Sequence, residues 1–124
     1  MSIAPMLSVR HGIEAVDFYA KAFGAKEVFR VGDSHSIVAQ LSVDGSEFWV
    51  ADESPENLNF SPESIGGATT RLVLTVEDPD AVFALAIAAG GKEVWPVADQ
   101  DYGWRVGRMV DPFGHHWEIG KPLK

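Results

Sequence analysis

Cysteine is absent from this chain of 124 residues, which excludes disulfides, thiolate metal sites and cysteine nucleophiles. Long apolar runs are absent too: none approaches the roughly eighteen residues that cross a bilayer as a helix. The segment Met1-Ser2-Ile3-Ala4-Pro5 lacks the basic residues and apolar core of a signal peptide. These absences lead to the expectation of a cytoplasmic protein with no membrane partner. Positive charge is scarce. Ten Lys and Arg, scattered along the chain, stand against eighteen Asp and Glu, for a formal net charge of −8. Such a surface repels phosphate, so nucleic acid is not expected as a partner. What is present is a hydrophobic fraction of 46% and twelve glycines, which suits one compact domain with many turns.

A repeat organises the chain. Ala22-Phe23-Gly24-Ala25-Lys26-Glu27-Val28-Phe29-Arg30-Val31 matches Ala88-Ala89-Gly90-Gly91-Lys92-Glu93-Val94-Trp95-Pro96-Val97 at six of ten positions. Each copy follows an apolar strand (Met6 to Val9, Leu72 to Val76) and a helical stretch, and further strands come after it. Asp78-Pro79 supplies a capping carboxylate and a proline at the first helical position, where a missing N–H costs nothing. Val82, Leu85, Ala86 and Ala89 then recur at helical spacing up to Gly90. In the first copy Ile13, Val16, Ala20 and Phe23 mark the expected buried stripe, closed by Gly24. Alternation predicts strands at Ile37 to Val43, Phe48 to Ala51, Trp104 to Val110 and His115 to Ile119. The acidic, polar stretch from Asp52 to Gly67 reads as a long connecting loop.

Strand alternation sorts side chains between a helix-packed face and a pocket face. Leu7 and Val9 are expected to meet the helix, leaving Met6 and Ser8 toward the pocket. Trp117 and Ile119 are expected to pack outward against the helices, leaving His116 and Glu118 inside the pocket.

The closing segment Asp111-Pro112-Phe113-Gly114-His115-His116-Trp117-Glu118-Ile119 resembles the terminal motif of the vicinal-oxygen-chelate superfamily, the glyoxalase/bleomycin-resistance/dioxygenase proteins. There a D-P-x-G turn leads into a last strand carrying a glutamate. Met6-Leu7-Ser8-Val9, Ala15-Val16-Asp17-Phe18-Tyr19 and Phe23-Gly24 resemble that family's first strand and helix. Tyr102-Gly103-Trp104-Arg105 resembles a G-x-R stretch of a glyoxalase-like subgroup. The resemblance implies an α+β fold of two βαβββ modules, forming a curved eight-stranded mixed sheet with helices on the convex side. Module one spans about 4–55, a linker about 56–67, and module two about 68–124. It further implies a small organic molecule as partner and a homodimer.

In metal-dependent members of the family, four His, Gln or Glu ligands stand on equivalent strands. Aligning Gly45 with Gly114 puts Trp49 opposite Glu118, and Leu7 and Leu74 mark Ala4 and Arg71. Of Ala4, Trp49, Arg71 and Glu118, only Glu118 binds a divalent ion, and Arg71 repels one. No cofactor is therefore expected, and the leading expectation is a metal-independent small-molecule-binding protein. The alternative is a metal-dependent lyase, isomerase or dioxygenase using a divalent ion on Glu118 and His116. Glu118 and His116, two apart on one strand, are also candidates for a general acid/base pair, the other reading being a carboxylate inherited from the fold that makes a salt bridge. Arg71 is expected either to pair with Glu118 or to receive an anionic ligand group. Gln40 and Trp49 are expected on the pocket wall, an amide for orientation and a flat face for stacking, though Trp49 as simple core filling is an equal reading. His115 is expected to pack or be solvated, and His11 and His35 to lie in surface loops.

Overall fold

A computed structural model describes all residues, 1–124. Module one runs β1 (Met6–Val9), α1 (Gly12–Phe23), β2 (Lys26–Gly32), β3 (Ile37–Val43) and β4 (Ser46–Asp52). Module two repeats the order with β5 (Arg71–Thr75), α3 (Pro79–Ala89), β6 (Lys92–Asp99), β7 (Trp104–Val110) and β8 (His116–Pro122). This is the expected α+β fold of two βαβββ modules. The strands hydrogen-bond four and four, in the orders β1-β4-β3-β2 and β5-β8-β7-β6. No ladder joins the two sheets, so the continuous eight-stranded sheet expected from the sequence is not formed within one chain.

The connection is not a bare loop. It holds a 3₁₀ turn at Pro55–Asn57 and a short helix α2 (Pro62–Ile65), capped by Ser61, whose side chain accepts from the Ser64 N–H. Glu53 fixes the approach: its carboxylate accepts from the Ser61 N–H at 2.9 Å and from the Ser64 hydroxyl at 2.8 Å.

Both helices pack on one face of their own sheet and against each other. One core spans the modules, with Leu7, Val9, Tyr19, Phe48 and Val50 from the first meeting Phe83, Met109, Trp117 and Ile119 from the second. Each large apolar side chain so buried contributes about 1.5–3 kcal/mol. Leu7, Val9, Trp117 and Ile119 are buried as alternation requires, and Met6 is exposed. The helix faces differ from the expected stripes. In α1 the buried residues are Gly12, Ala15, Val16, Phe18, Tyr19 and Ala22, while Ile13 is exposed, Ala20 is exposed and Phe23 is only half-buried. In α3 Phe83 and Ala86 are buried and Leu85 is exposed. The buried face of each helix mixes small and aromatic side chains, Ala15, Ala22, Phe18 and Tyr19 in α1 and Ala86 and Phe83 in α3. The capping of α3 is as expected, with the Asp78 carboxylate accepting from the Ala81 N–H.

Candidate functional site

The faces turned away from the shared core are open, and they carry every candidate site residue. On module one, the ladder β1-β4-β3-β2 brings Met6, Trp49, Gln40 and Phe29 side by side, since Met6 pairs with Trp49, Trp49 with Gln40, and Gln40 with Phe29. Phe29 meets the Trp49 ring edge-on at a centroid distance of 6.1 Å. The Gln40 amide donates to Glu47 at 3.0 Å. Met6, Phe29 and Val31 remain exposed, so this face is predominantly apolar and aromatic.

On module two, Arg71 pairs with His116, Val73 with Glu118, and Arg108 with Glu118 from the other side. All five side chains therefore share the open face. Two diagonal hydrogen bonds cross it. Arg71 Nη1 donates to Glu118 Oε2 at 2.9 Å, and Arg108 Nε donates to His116 Nδ1 at 3.2 Å. His116 and Glu118 thus share a face, as expected from their spacing, but each is bonded to its own arginine and not to the other. Partial burial, reinforced by the Arg108 charge, holds the His116 imidazole below its ordinary pKa and favours its neutral form.

The Arg71–Glu118 pair realises one of the two expectations for Arg71. The arginine side chain is 60% exposed and the glutamate 16%. Such a half-solvated pair contributes at most about 1 kcal/mol to stability, far from the cost of a severed buried pair.

Register and helix caps bear on the expected metal positions. Arg71 stands seven residues before the α3 N-cap Asp78, and Ala4 stands seven before the α1 N-cap His11. With Met6 opposite Trp49 and Val73 opposite Glu118, Met6 corresponds to Val73 and Ala4 again to Arg71. The four equivalent positions are thus a methyl group, an indole, a guanidinium and a carboxylate, and the carboxylate is bonded to the guanidinium. This donor set does not fit a divalent ion.

Sequence reasoning missed Arg108, Trp95 and Phe29. The G-x-R stretch ends on Arg105, which binds Asp80 at 2.7 Å and Asp99 at 3.0 Å and ties β7 to α3 and β6. Arg108 lies three residues further on, hence on the opposite face, and alternation along Trp104 to Val110 was the signal that could have found it. Trp95 pairs directly with Arg108. The remaining histidines are structural or peripheral. His115 Nε2 lies 2.9 Å from the Ser8 carbonyl and bridges the modules. His11 is the exposed α1 N-cap residue without a side-chain capping bond, and His35 is an exposed loop residue.

Residues 4–119 match the family model described as glyoxalase/bleomycin resistance protein/dioxygenase superfamily. An uncharacterized protein of Mycobacterium bovis is 39% identical over 128 residues, covering 99% of this chain and 84% of its own length. Among solved structures, a gene product of Arabidopsis thaliana superposes with a TM-score of 0.79 at 30% identity, covering 98% of each chain. TioX of Micromonospora sp. ML1 gives 0.77 at 28% identity, covering 99% of this chain and all of its own.

Proposed function

The chain belongs to the glyoxalase/bleomycin resistance protein/dioxygenase superfamily, and from that premise we propose that it is a metal-independent binding protein for a small organic molecule. The observation that carries this reading is the Arg71–Glu118 ion pair. It places a fixed guanidinium at one position that would otherwise need a metal ligand and engages the only carboxylate at the others. The ligand lies against the open sheet faces, where Trp49 and Phe29 offer an apolar wall and module two offers charge. Nothing in one chain closes one face over the other, since no ladder, hydrogen bond or ion pair links them. A homodimer that brings the open faces of two chains together completes the site. The activity proposed is binding itself, as in sequestration.

Metal analysis of untagged protein together with native mass spectrometry tests this reading. Protein without stoichiometric metal, carrying or accepting a small organic ligand, is the expected result. Stoichiometric metal that resists mild chelation would sink it and restore a metal-dependent lyase, isomerase or dioxygenase.

A further inference from the structure

We propose that the open face of module two is a carboxylate receptor, built from Arg71, Arg108 and His116 around the fixed anchor Glu118. The proposal rests on the reading of the open faces as the ligand site and names the class of ligand they take.

The four side chains come from three adjacent strands in the order β5, β8, β7, and ladder pairing holds them on one face. Their hydrogen bonds leave a marked surplus of donors. A guanidinium carries five N–H donors. Arg71 uses Nη1 on Glu118, and Arg108 uses Nε on His116, so most of both forks stays free. Because His116 accepts through Nδ1, the proton of its neutral ring sits on Nε2 and is a further donor. Glu118 Oε1 is the one carboxylate oxygen of the quartet with no partner within it. A face so rich in donors and poor in acceptors is complementary to an oxygen-rich anion.

Charge narrows the class. Two guanidinium groups and one carboxylate leave this quartet a net single positive charge, within a chain whose formal charge is −8. A monoanion balances it and a dianion overshoots. A carboxylate carries that single charge, and its two oxygens match a guanidinium fork in a bidentate manner. Beside the quartet, Val73 is 63% exposed and opposite Glu118, while Trp95 pairs with Arg108. These flanks suit an aromatic or aliphatic body attached to the carboxylate.

Three probes differing only in the head group test the proposal on the full-length, isotopically labelled protein: phenylacetate, phenylacetamide and phenylphosphonate. Titrations are followed through the backbone amides and the arginine Nε–H resonances. Phenylacetate is expected to shift the Arg71 and Arg108 signals and to bind about tenfold or more tighter than the neutral amide. Arg71→Gln and Arg108→Gln should each remove about that factor for phenylacetate and weaken phenylacetamide far less, so that the acid–amide gap closes. Arg108→Lys should recover only part of it, because the charge returns without the fork. Unchanged amide spectra elsewhere in the Arg108→Gln protein guard against simple misfolding. Equal affinity for acid and amide would overturn the carboxylate receptor while leaving small-molecule binding standing, provided both probes shift the Trp49 face. Tighter binding of phenylphosphonate than phenylacetate would overturn the monoanion assignment. Failure of all three probes on either face, in protein that holds stoichiometric metal, would overturn both readings together.

Discussion

Asp111 is buried and accepts four hydrogen bonds, which makes the D-P-F-G turn a joint between modules as well as a reversal of the chain. One carboxylate oxygen takes the N–H groups of Phe113 and His115 at 2.9 and 3.0 Å, shaping the turn that starts β8. The other takes the Trp117 indole at 2.9 Å and the hydroxyl of Tyr19, a residue of α1 in the first module. Glu118 and His116 are therefore placed by a strand whose root is fastened to the opposite module. Burial first, and then the negative charge of Asp111, push the Tyr19 phenol well above its ordinary pKa of 10.0. The sign of the linkage follows. The protonated phenol belongs to the fold, so its contribution is complete below the unfolded-state pKa and is lost as pH rises from there toward the raised folded value. Tyr19→Phe is expected to cost about 1–3 kcal/mol near neutral pH, the penalty for removing one partner of a buried hydrogen bond. The same variant should lose less additional stability than the parent between about pH 9 and pH 11. Urea midpoints at both pH values check this, and an identical alkaline decline in the two proteins would refute it.

At the scale of elements, α1 shows how an amino end is satisfied without a capping side chain of its own. His11 occupies the N-cap and makes no capping bond. Asp52, at the end of β4, accepts from the Gly12 N–H at 3.0 Å and from the Ile37 N–H at 2.7 Å, joining α1, β3 and β4. Glycine suits position 12, because an added Cβ would stand 2.6 Å from Asp52 Oδ2 and 2.8 Å from Ile37 Cγ1 and would push on the side chain that caps the helix. Asp52→Ala should consequently cost about 1–2 kcal/mol, whereas His11→Ala stays within about 0.5 kcal/mol. Denaturant midpoints that moved equally for both would contradict the assignment. The cap of α3 was legible in the sequence because Asp78-Pro79 is local, and that of α1 was not because its carboxylate lies 40 residues away. The same distinction separates the strands, which alternation located well, from the helix faces. Helical spacing identifies apolar positions, but which of them face a second helix depends on a crossing that only tertiary packing sets. Ile13, Ala20 and Leu85 fit the helical spacing of a core stripe and yet lie exposed for that reason.

The whole molecule repeats this division. Arg71 and Glu118 could be brought together from the sequence because the repeat carries positions from one module to the other, while Arg108 depended on the β7–β8 register. The sheet edges bear on the quaternary arrangement. Outer edges β2 and β6 are blunted: β2 carries Lys26, Glu27 and Arg30 and a register shift between Glu27 and Phe29, and β6 carries Pro96 and two shifts. Inner edges β1 and β5 carry no proline or register shift, and Arg71 is their one charged residue. On β5 the Val76 N–H bonds inward to Gly120, so the N–H groups of Val73 and Thr75 point outward and lack strand partners. On β1 the carbonyls of Pro5 and Val9 bond inward to β4, which leaves Met6 and Ser8 facing out in the same way. Exposed Met6 and Val73 lie on these same two strands. A regular edge beside exposed apolar side chains invites pairing with another chain, and two such edges per chain allow a closed twofold dimer. Light scattering should therefore return twice the 13.5 kDa chain mass. Val73→Pro, which removes an outward N–H while sparing the β5–β8 bonds, should shift the protein toward monomer at a given concentration. In the parent protein the Val73 and Thr75 amides should exchange more slowly with deuterium as concentration rises. A monomer mass across the full accessible concentration range would remove the dimer and, with it, the enclosure of the site by a second chain.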